Sequence, residues 1–312
     1  MIQFSIIIPL YNKENFIVDA LKSVINQTFT AFEIIIVNDC STDLSAEKVI
    51  PFITENVKLI NHQENYGLSA TRNTGIKNAN YDYITFLDAD DLWKPHFLET
   101  IHTLINTFTE AKIYATNYQE IYNSKTIIPK NGTQHLDKNS IQIINFFKHN
   151  LQQGIYNHGS VCFNKIVFET IGNYDETIDF AEDIDFNIRA NSSFKLAYAN
   201  TIGMVYRMQT SNQLTTSSIA NKTVPDYDKY KVLAHQNNDF INYLDFEKYV
   251  LAKHLKTDGN YKLYKKISAT IDYKNLNFKQ FILLKMPSFF LKMIVKFKIY
   301  FIKKGMKFTS YS

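Results

Sequence analysis

Phe4-Ser5-Ile6-Ile7-Ile8-Pro9-Leu10-Tyr11-Asn12 and Glu33-Ile34-Ile35-Ile36-Val37-Asn38-Asp39 decide how this chain folds. Each holds a short, β-branched apolar run of the kind expected in a strand covered on both faces. Between them Phe16, Ile17, Ala20, Leu21, Val24 and Ile25 recur at helical spacing, so the unit reads strand–helix–strand. Val57-Lys58-Leu59-Ile60 reads as a third strand, Ser69 to Ala79 as a helix and Tyr83 to Leu87 as a fourth strand. Strands alternating with helices at this spacing predict an α/β fold with a parallel sheet and right-handed crossovers. Ligands of such sheets bind beyond the carboxyl ends of the strands.

Those ends are polar. The first strand runs into Pro9-Leu10-Tyr11-Asn12, the second into Asn38-Asp39-Cys40-Ser41-Thr42-Asp43 and the fourth into Asp88-Ala89-Asp90-Asp91. No GxGxxG follows the first strand and no GxxxxGK[ST] occurs, so the common phosphate cradles are missing. Three carboxylates in four residues suit a hard divalent cation, Mn²⁺ or Mg²⁺, with positions left open for phosphate oxygens. The plainer reading is an acidic turn at the start of the helix near Pro95.

Composition narrows the class. The 312 residues are 45% hydrophobic and 21% charged, which excludes a mainly disordered or fibrous chain. Cys40 and Cys162 are the only cysteines, so no disulfide framework is implied and a cytoplasmic, reducing setting is expected. Ile6 to Leu10 is too short for a signal segment, and no apolar run of membrane-spanning length occurs. Nine lysines and no acid or arginine lie between Tyr273 and Ser312, so the overall +4 leaves −5 on everything before them. A mildly acidic body with a basic end does not fit a nucleic-acid binder.

With Ser5 to Asn12, Val37 to Asp43, Asn65-Tyr66-Gly67-Leu68-Ser69-Ala70-Thr71-Arg72-Asn73 and Leu87 to Asp91 in this order, the sequence resembles the family 2 glycosyltransferases of the GT-A fold. The likeness continues through Ile171-Gly172-Asn173-Tyr174-Asp175-Glu176 to Ala181-Glu182-Asp183-Ile184-Asp185-Phe186-Asn187-Ile188-Arg189 and covers roughly residues 1–215. It implies a GT-A nucleotide-sugar-binding domain over 1–215, with a mixed, mainly parallel sheet flanked by helices. A mainly helical extension would follow over 216–312.

By position, the resemblance implies that Pro9 and Tyr11 flank the base of a nucleotide sugar, with uracil favoured over other bases by family habit alone. Asp39 would accept a hydrogen bond from its imide N–H, and Arg72 would lie near base or diphosphate. Asp88 would reach the ribose and Asp90 would ligate Mn²⁺ or Mg²⁺, with Asp91 an extra ligand or an orienting neighbour. Glu182 and Asp183 would supply the catalytic carboxylates, with Asp183 by family position the general base of an inverting displacement and its neighbour Glu182 the other candidate. The residues alone also allow a helix-start cluster, with Asp185 pairing Arg189 at (i, i+4). His158, Gly159 and Ser160 would line the acceptor side. Arg207 would contact phosphate, although Gln209 stands where the family often has a His.

Beyond Thr216, Val224 to Lys256 reads as helical, and Phe289 to Lys304 as a helix without Gly or Pro. At about 100° per residue, Lys285, Lys292, Lys296 and Lys303 form a ridge about 40° wide beside a broad apolar face. Such a surface suits the cytoplasmic face of an anionic inner membrane, packing on the catalytic domain, or a homodimer. The leading expectation is an inverting, metal-dependent transfer of a hexosyl or N-acetylhexosaminyl group to a glycan or lipid-linked acceptor in surface polysaccharide synthesis. A nucleotidyltransferase making nucleotide sugars lacks its usual Gly-rich basic loop here. A decayed nucleotide- or glycan-binding protein is at odds with the retained Asp39, Asp88, Asp90 and Asp183.

Overall fold

In a computed structural model the chain is described except at residues 123–125, 129–134, 209, 212, 214–217, 220, 303, 305 and 307–312. Gln209 and Lys303, both singled out above, thus lie outside the described residues. The elements follow in chain order as β1 (Phe4–Leu10), α1 (Ile17–Ile25), β2 (Phe32–Asn38), α2 (Ser45–Val49), β3 (Val57–Asn61), α3 (Leu68–Lys77), β4 (Tyr83–Phe86) and β5 (Leu92–Trp93). Next come α4 (Phe97–Thr107), β6 (Ile113–Tyr122), β7 (Thr126–Ile128), β8 (Ile141–Ile144), α5 (Phe146–His149), β9 (Val161–Asn164), α6 (Ile166–Ile171), α7 (Glu182–Ser193) and β10 (Leu196–Met208). The chain ends in α8 (Lys231–Ala234), α9 (Asn238–Asp258), α10 (Tyr261–Ser268), α11 (Phe278–Lys285) and α12 (Ser288–Ile302).

The strands form one mixed sheet in the order β3-β2-β1-β4-β9-β6-β10-β5. Its β3-β2-β1-β4 half is parallel throughout, as the alternation of strands and helices requires. β9 then pairs antiparallel with both β4 and β6, and β10 runs parallel to β6. All seven residues of β1 are buried because the strand is covered on both sides. Ile6 and Ile8 face the core that holds Ile17, Leu21 and Val24 of α1, while Ile7 faces the core on the opposite side. There α3 lies so close that a Cβ on Gly75 would collide with the Ile7 side chain, which explains a glycine inside that helix.

The C-terminal helices belong to the same core as Ile7, through Phe240, Tyr243, Tyr249 and Leu255 of α9 and Leu284 of α11. Phe240 stacks on Phe147 with ring centroids 3.9 Å apart. The charges of α9 are satisfied as it packs: buried Lys248 lies 2.8 Å from Asp228, and Lys256 donates to the Leu284 carbonyl oxygen at 2.7 Å. The helix expected over Val224 to Lys256 is interrupted. His235 takes a positive φ (41°) with ψ −121°, which ends α8, and Asn237 restarts the helix by accepting from the Phe240 N–H. Among the described residues no helix is long and apolar enough to cross a membrane.

Candidate active site

The carboxyl ends of β1, β2 and β4 open into a cavity of about 470 Å³ that Pro9, Tyr11, Asp39, Arg72, Asp88, Asp90, His158, Glu182 and Asp183 all line. Pro9 and Asp183, 174 positions apart in the sequence, therefore share one cleft.

Backbone stitching at the strand ends makes this possible. Asn12 at the end of β1 is left-handed (φ 51°), its N–H donating to Ser41 Oγ and its side-chain oxygen accepting from the Thr42 N–H. Asp39 clasps the loop before α3: Oδ1 accepts from Tyr66 N–H and lies 2.7 Å from His62 Nδ1, and Oδ2 accepts from Gly67 N–H. Gly67 sits at φ 88°, a conformation that suits glycine. Oδ2 keeps acceptor capacity, since an ionised carboxylate offers about four lone-pair sites. Tyr11 stays 42% exposed, which leaves its ring face available. Asn73 exchanges two 3.0 Å hydrogen bonds with the Tyr174 backbone, joining α3 to the segment that leads into α7.

Arg72 is the electrostatic centre. It is buried, donates to Glu182 at 2.8 Å and to Asp88 at 3.4 Å, and lies 5.4 Å from the centroid of the Tyr174 ring. Burial opposes its charge, but Asp88 and Glu182 hold its pKa above the ordinary value. Burial, reinforced by the Asp90 and Glu182 carboxylates, raises Asp88 against the pull of Arg72.

Ala181, left-handed at φ 63°, turns the chain into α7 and presents the adjacent acids to the cavity. They differ in kind. Glu182 is neutralised by Arg72, whereas Asp183 accepts the Ile184 N–H at 2.9 Å. Burial and then the neighbouring Glu182 charge push Asp183 up to about 7. Asp185, by contrast, is structural: it pairs with Arg189, whose guanidinium also donates to the Ile171 and Asn173 carbonyls.

Asp90 carries a cation of the chain's own. Its Oδ2 lies 2.7 Å from Lys13 Nζ and accepts from the Thr210 hydroxyl, and Lys13 also donates to the Ser211 carbonyl oxygen. Among the described residues no three His, Cys, Asp or Glu side chains converge as a ready-made metal cage. Two cavity-facing carboxylates nevertheless fit an ion that arrives with a diphosphate, because Mg²⁺ takes one or two protein carboxylates and completes its shell with water and phosphate oxygens.

Three expectations meet a different geometry. Asp91 is fully buried outside the cavity lining: Oδ1 accepts the Arg207 N–H at 2.8 Å, and burial beside Asp90 and Asp88 raises it well above the carboxylate range. It orients β10 instead of facing a ligand. The Arg207 guanidinium points away, 3.1 Å from Asp19 and over the Phe16 ring, and Tyr206 lines the cavity in its place. Of His158, Gly159 and Ser160, His158 alone lines the cavity. Its ring packs on Phe86 and its Nε2 hydrogen-bonds the Tyr174 hydroxyl, while burial and then Arg72 push its pKa well down, so it is neutral. The Gly159 carbonyl accepts from Trp93 Nε1, and Ser160 completes a capping box with Asn157.

Lys13, Thr210, His62, Tyr227 and Glu247 had no motif to announce them. Lys13 alone carried a signal, as the basic residue that follows the first strand's polar end.

The strand-end cleft gathers paired acids at the edge of a mixed, mainly parallel sheet, and comparison with known proteins gives the class to which this arrangement belongs. The chain belongs to glycosyl transferase family 2, whose model matches residues 5–171. It is 39% identical over 124 residues to glycosyltransferase GlyA of Streptococcus pneumoniae, covering 39% of this chain and 18% of that protein. It is 29% identical over 214 residues to the uncharacterized glycosyltransferase EpsJ of Bacillus subtilis, covering 68% and 62%. WfgD of Escherichia coli, a UDP-Glc:alpha-D-GlcNAc-diphosphoundecaprenol beta-1,3-glucosyltransferase, is 35% identical over 126 residues, covering 40% and 49%. The alignments thus span from 18% to 62% of these relatives' own lengths. In fold the chain is similar to Staphylococcus aureus TarS residues 1–349, solved with UDP-GlcNAc, at a TM-score of 0.61 and 18% identity over 91% of this chain and 79% of that one.

Proposed function

We propose that this cavity transfers a sugar from a UDP-sugar to a hydroxyl of a glycan or lipid-linked oligosaccharide, inverting the anomeric carbon, in surface polysaccharide synthesis. One observation carries the reading: Asp183, raised to about 7 and not bound to Arg72, shares a cleft with Asp88 and Asp90. A carboxylate near neutrality suits proton removal from an alcohol. A single base facing the leaving group across the sugar gives direct displacement, hence inversion. The pairing that WfgD's name records, UDP-glucose and a diphosphoundecaprenol-linked sugar, supports this donor and acceptor class.

The chain's own residues divide the work. The Tyr11 ring offers the base a stacking face beside Pro9, and Asp39 Oδ2 can accept the imide N–H of uracil. Arg72 fixes Glu182 and Asp88, while Asp183 takes the acceptor proton. Asp90 and Asp88 would hold Mn²⁺ or Mg²⁺, which when bound neutralises charge on the departing nucleoside diphosphate. Incubation with UDP-sugars and Mn²⁺ should release UDP at a rate that rises with pH through about 7 and then levels, because the base must be deprotonated. Absence of UDP release from every nucleotide sugar tried, or a rate falling across that range, would contradict the reading.

The same reading places the protein at the cytoplasmic face of an anionic membrane. α12 buries Leu291 and exposes Phe289, Phe290, Val295, Phe297 and Tyr300 alongside Lys292 and Lys296. A lysine near such a surface contributes about 1 kcal/mol. Because Leu284 and Leu291 are buried with the C-terminal core, charge reversal is a cleaner probe than truncation. Lys292→Glu with Lys296→Glu should abolish co-sedimentation with phosphatidylglycerol vesicles and leave UDP binding intact. Undiminished sedimentation would place the contact elsewhere, and a doubled mass without vesicles would favour a dimer.

A further inference from the structure

Helix α9 lies outside the stretch matched by the family model, yet it walls the cavity. Glu247, Val250, Leu251 and His254 point into it, spaced at i, i+3, i+4 and i+7 along one helical face. Phe180 and Asp183, just before and at the start of α7, line the same cavity, and the Phe180 ring lies against His254. A buried acid in such a wall is unfavourable without a partner. Glu247 is hydrogen-bonded by the Tyr243 hydroxyl, and burial, with Asp183 nearby, pushes it up to about 8. At neutral pH it therefore keeps its proton and can both donate and accept, which matches the dual character of a sugar hydroxyl. Val250, Leu251 and Phe180 offer the complementary apolar surface for a C–H face.

Resting on the transferase reading above, we propose that this face of α9 is an acceptor subsite for a pyranoside, with Glu247 hydrogen-bonding a hydroxyl other than the one that Asp183 activates. Glu247 is then a specificity-determining residue on the side of the attacking sugar and has no part in holding the donor. A pyranoside lacking the matched hydroxyl would leave the O–H of the protonated acid without an acceptor, although Tyr243 still donates to its other side, and such a mismatch is rejected more strongly than a missing apolar contact.

The test uses the full chain with Mn²⁺, UDP-glucose and UDP-GlcNAc as donors, and the n-octyl β-glycosides of glucose, galactose and GlcNAc as acceptors. Donor hydrolysis to water and transfer to glycoside are measured together. Glu247→Leu should raise the KM of the best glycoside about tenfold or more, as expected when a buried hydrogen bond is lost. UDP affinity and donor hydrolysis should stay within about twofold. Glu247→Gln, which still donates and accepts, should keep the glycoside KM within about threefold. Val250→Trp, which fills the wall without altering Glu247, should block transfer and leave hydrolysis. An unchanged glycoside KM in Glu247→Leu overturns the proposal, as does a loss of UDP affinity in place of glycoside affinity. Wild-type hydrolysis without transfer to any of the glycosides overturns it too. No UDP release from the wild type at all would instead remove the transferase reading beneath it.

Discussion

Asp183→Asn should lower sugar transfer by about 10²–10⁴-fold, the usual contribution of a positioned general base, while UDP affinity stays within a few-fold. The amide has the same shape and can still accept the Ile184 N–H, so the start of α7 is preserved. It cannot take up a proton, so the rise of rate with pH through about 7 should vanish with it. Glu182→Gln is the informative control. Glu182 neutralises buried Arg72, and weakening that pair disturbs the Arg72–Asp88 contact at the donor end. Its expected signature is weaker UDP binding and lower stability with the pH limb retained. Near-normal turnover in Asp183→Asn would refute the assignment of the base.

Asp90→Ala should abolish the Mn²⁺-dependent increment in UDP affinity measured by calorimetry. In EDTA the same variant should bind UDP no worse than the wild type, and this follows from Lys13. With Asp90 present, the Lys13 ammonium is drawn to its Oδ2 at 2.7 Å. Without it, that ammonium loses its carboxylate partner and keeps the Ser211 carbonyl, so a diphosphate becomes the anion that draws it. A Mn²⁺ increment that survives in Asp90→Ala would show that the ion is held by other groups.

The parallel half of the sheet was legible because its strands are covered on both faces. A run such as Ile6-Ile7-Ile8 has few other solutions, and the two sides of β1 then follow from period two. The cleft was legible for a related reason: strand ends converge by topology, so Pro9, Asp39 and Asp88 could be placed from the order of elements alone. Side-chain direction was not. Asp91 and Arg207 each follow a residue, Asp90 or Tyr206, that does line the cavity, and a one-residue offset at a turn or in a strand reverses the face. Arg207 found Asp19 on α1, a partner that no local pattern connects to it.

The contribution of α9 was hidden for a different reason. Residues 238–258 mix Tyr, Phe, Asp, Lys and Glu, and buried Lys248 and Lys256 blur the apolar stripe because their charges are satisfied by Asp228 and by the Leu284 carbonyl. A helix whose partners are distant and polar has a weak periodic signal. Nothing in the sequence around Glu247 sets it apart, yet in three dimensions it lines the cavity.

A crystal structure of the full chain with Mn²⁺ and its UDP-sugar tests the arrangement most directly. The uracil should lie between Tyr11 and Asp39, the diphosphate beside Asp90, and the Asp183 carboxylate on the opposite side of the anomeric carbon. Asp183 on the diphosphate side of that carbon, or a nucleotide bound outside the cleft, would contradict the account.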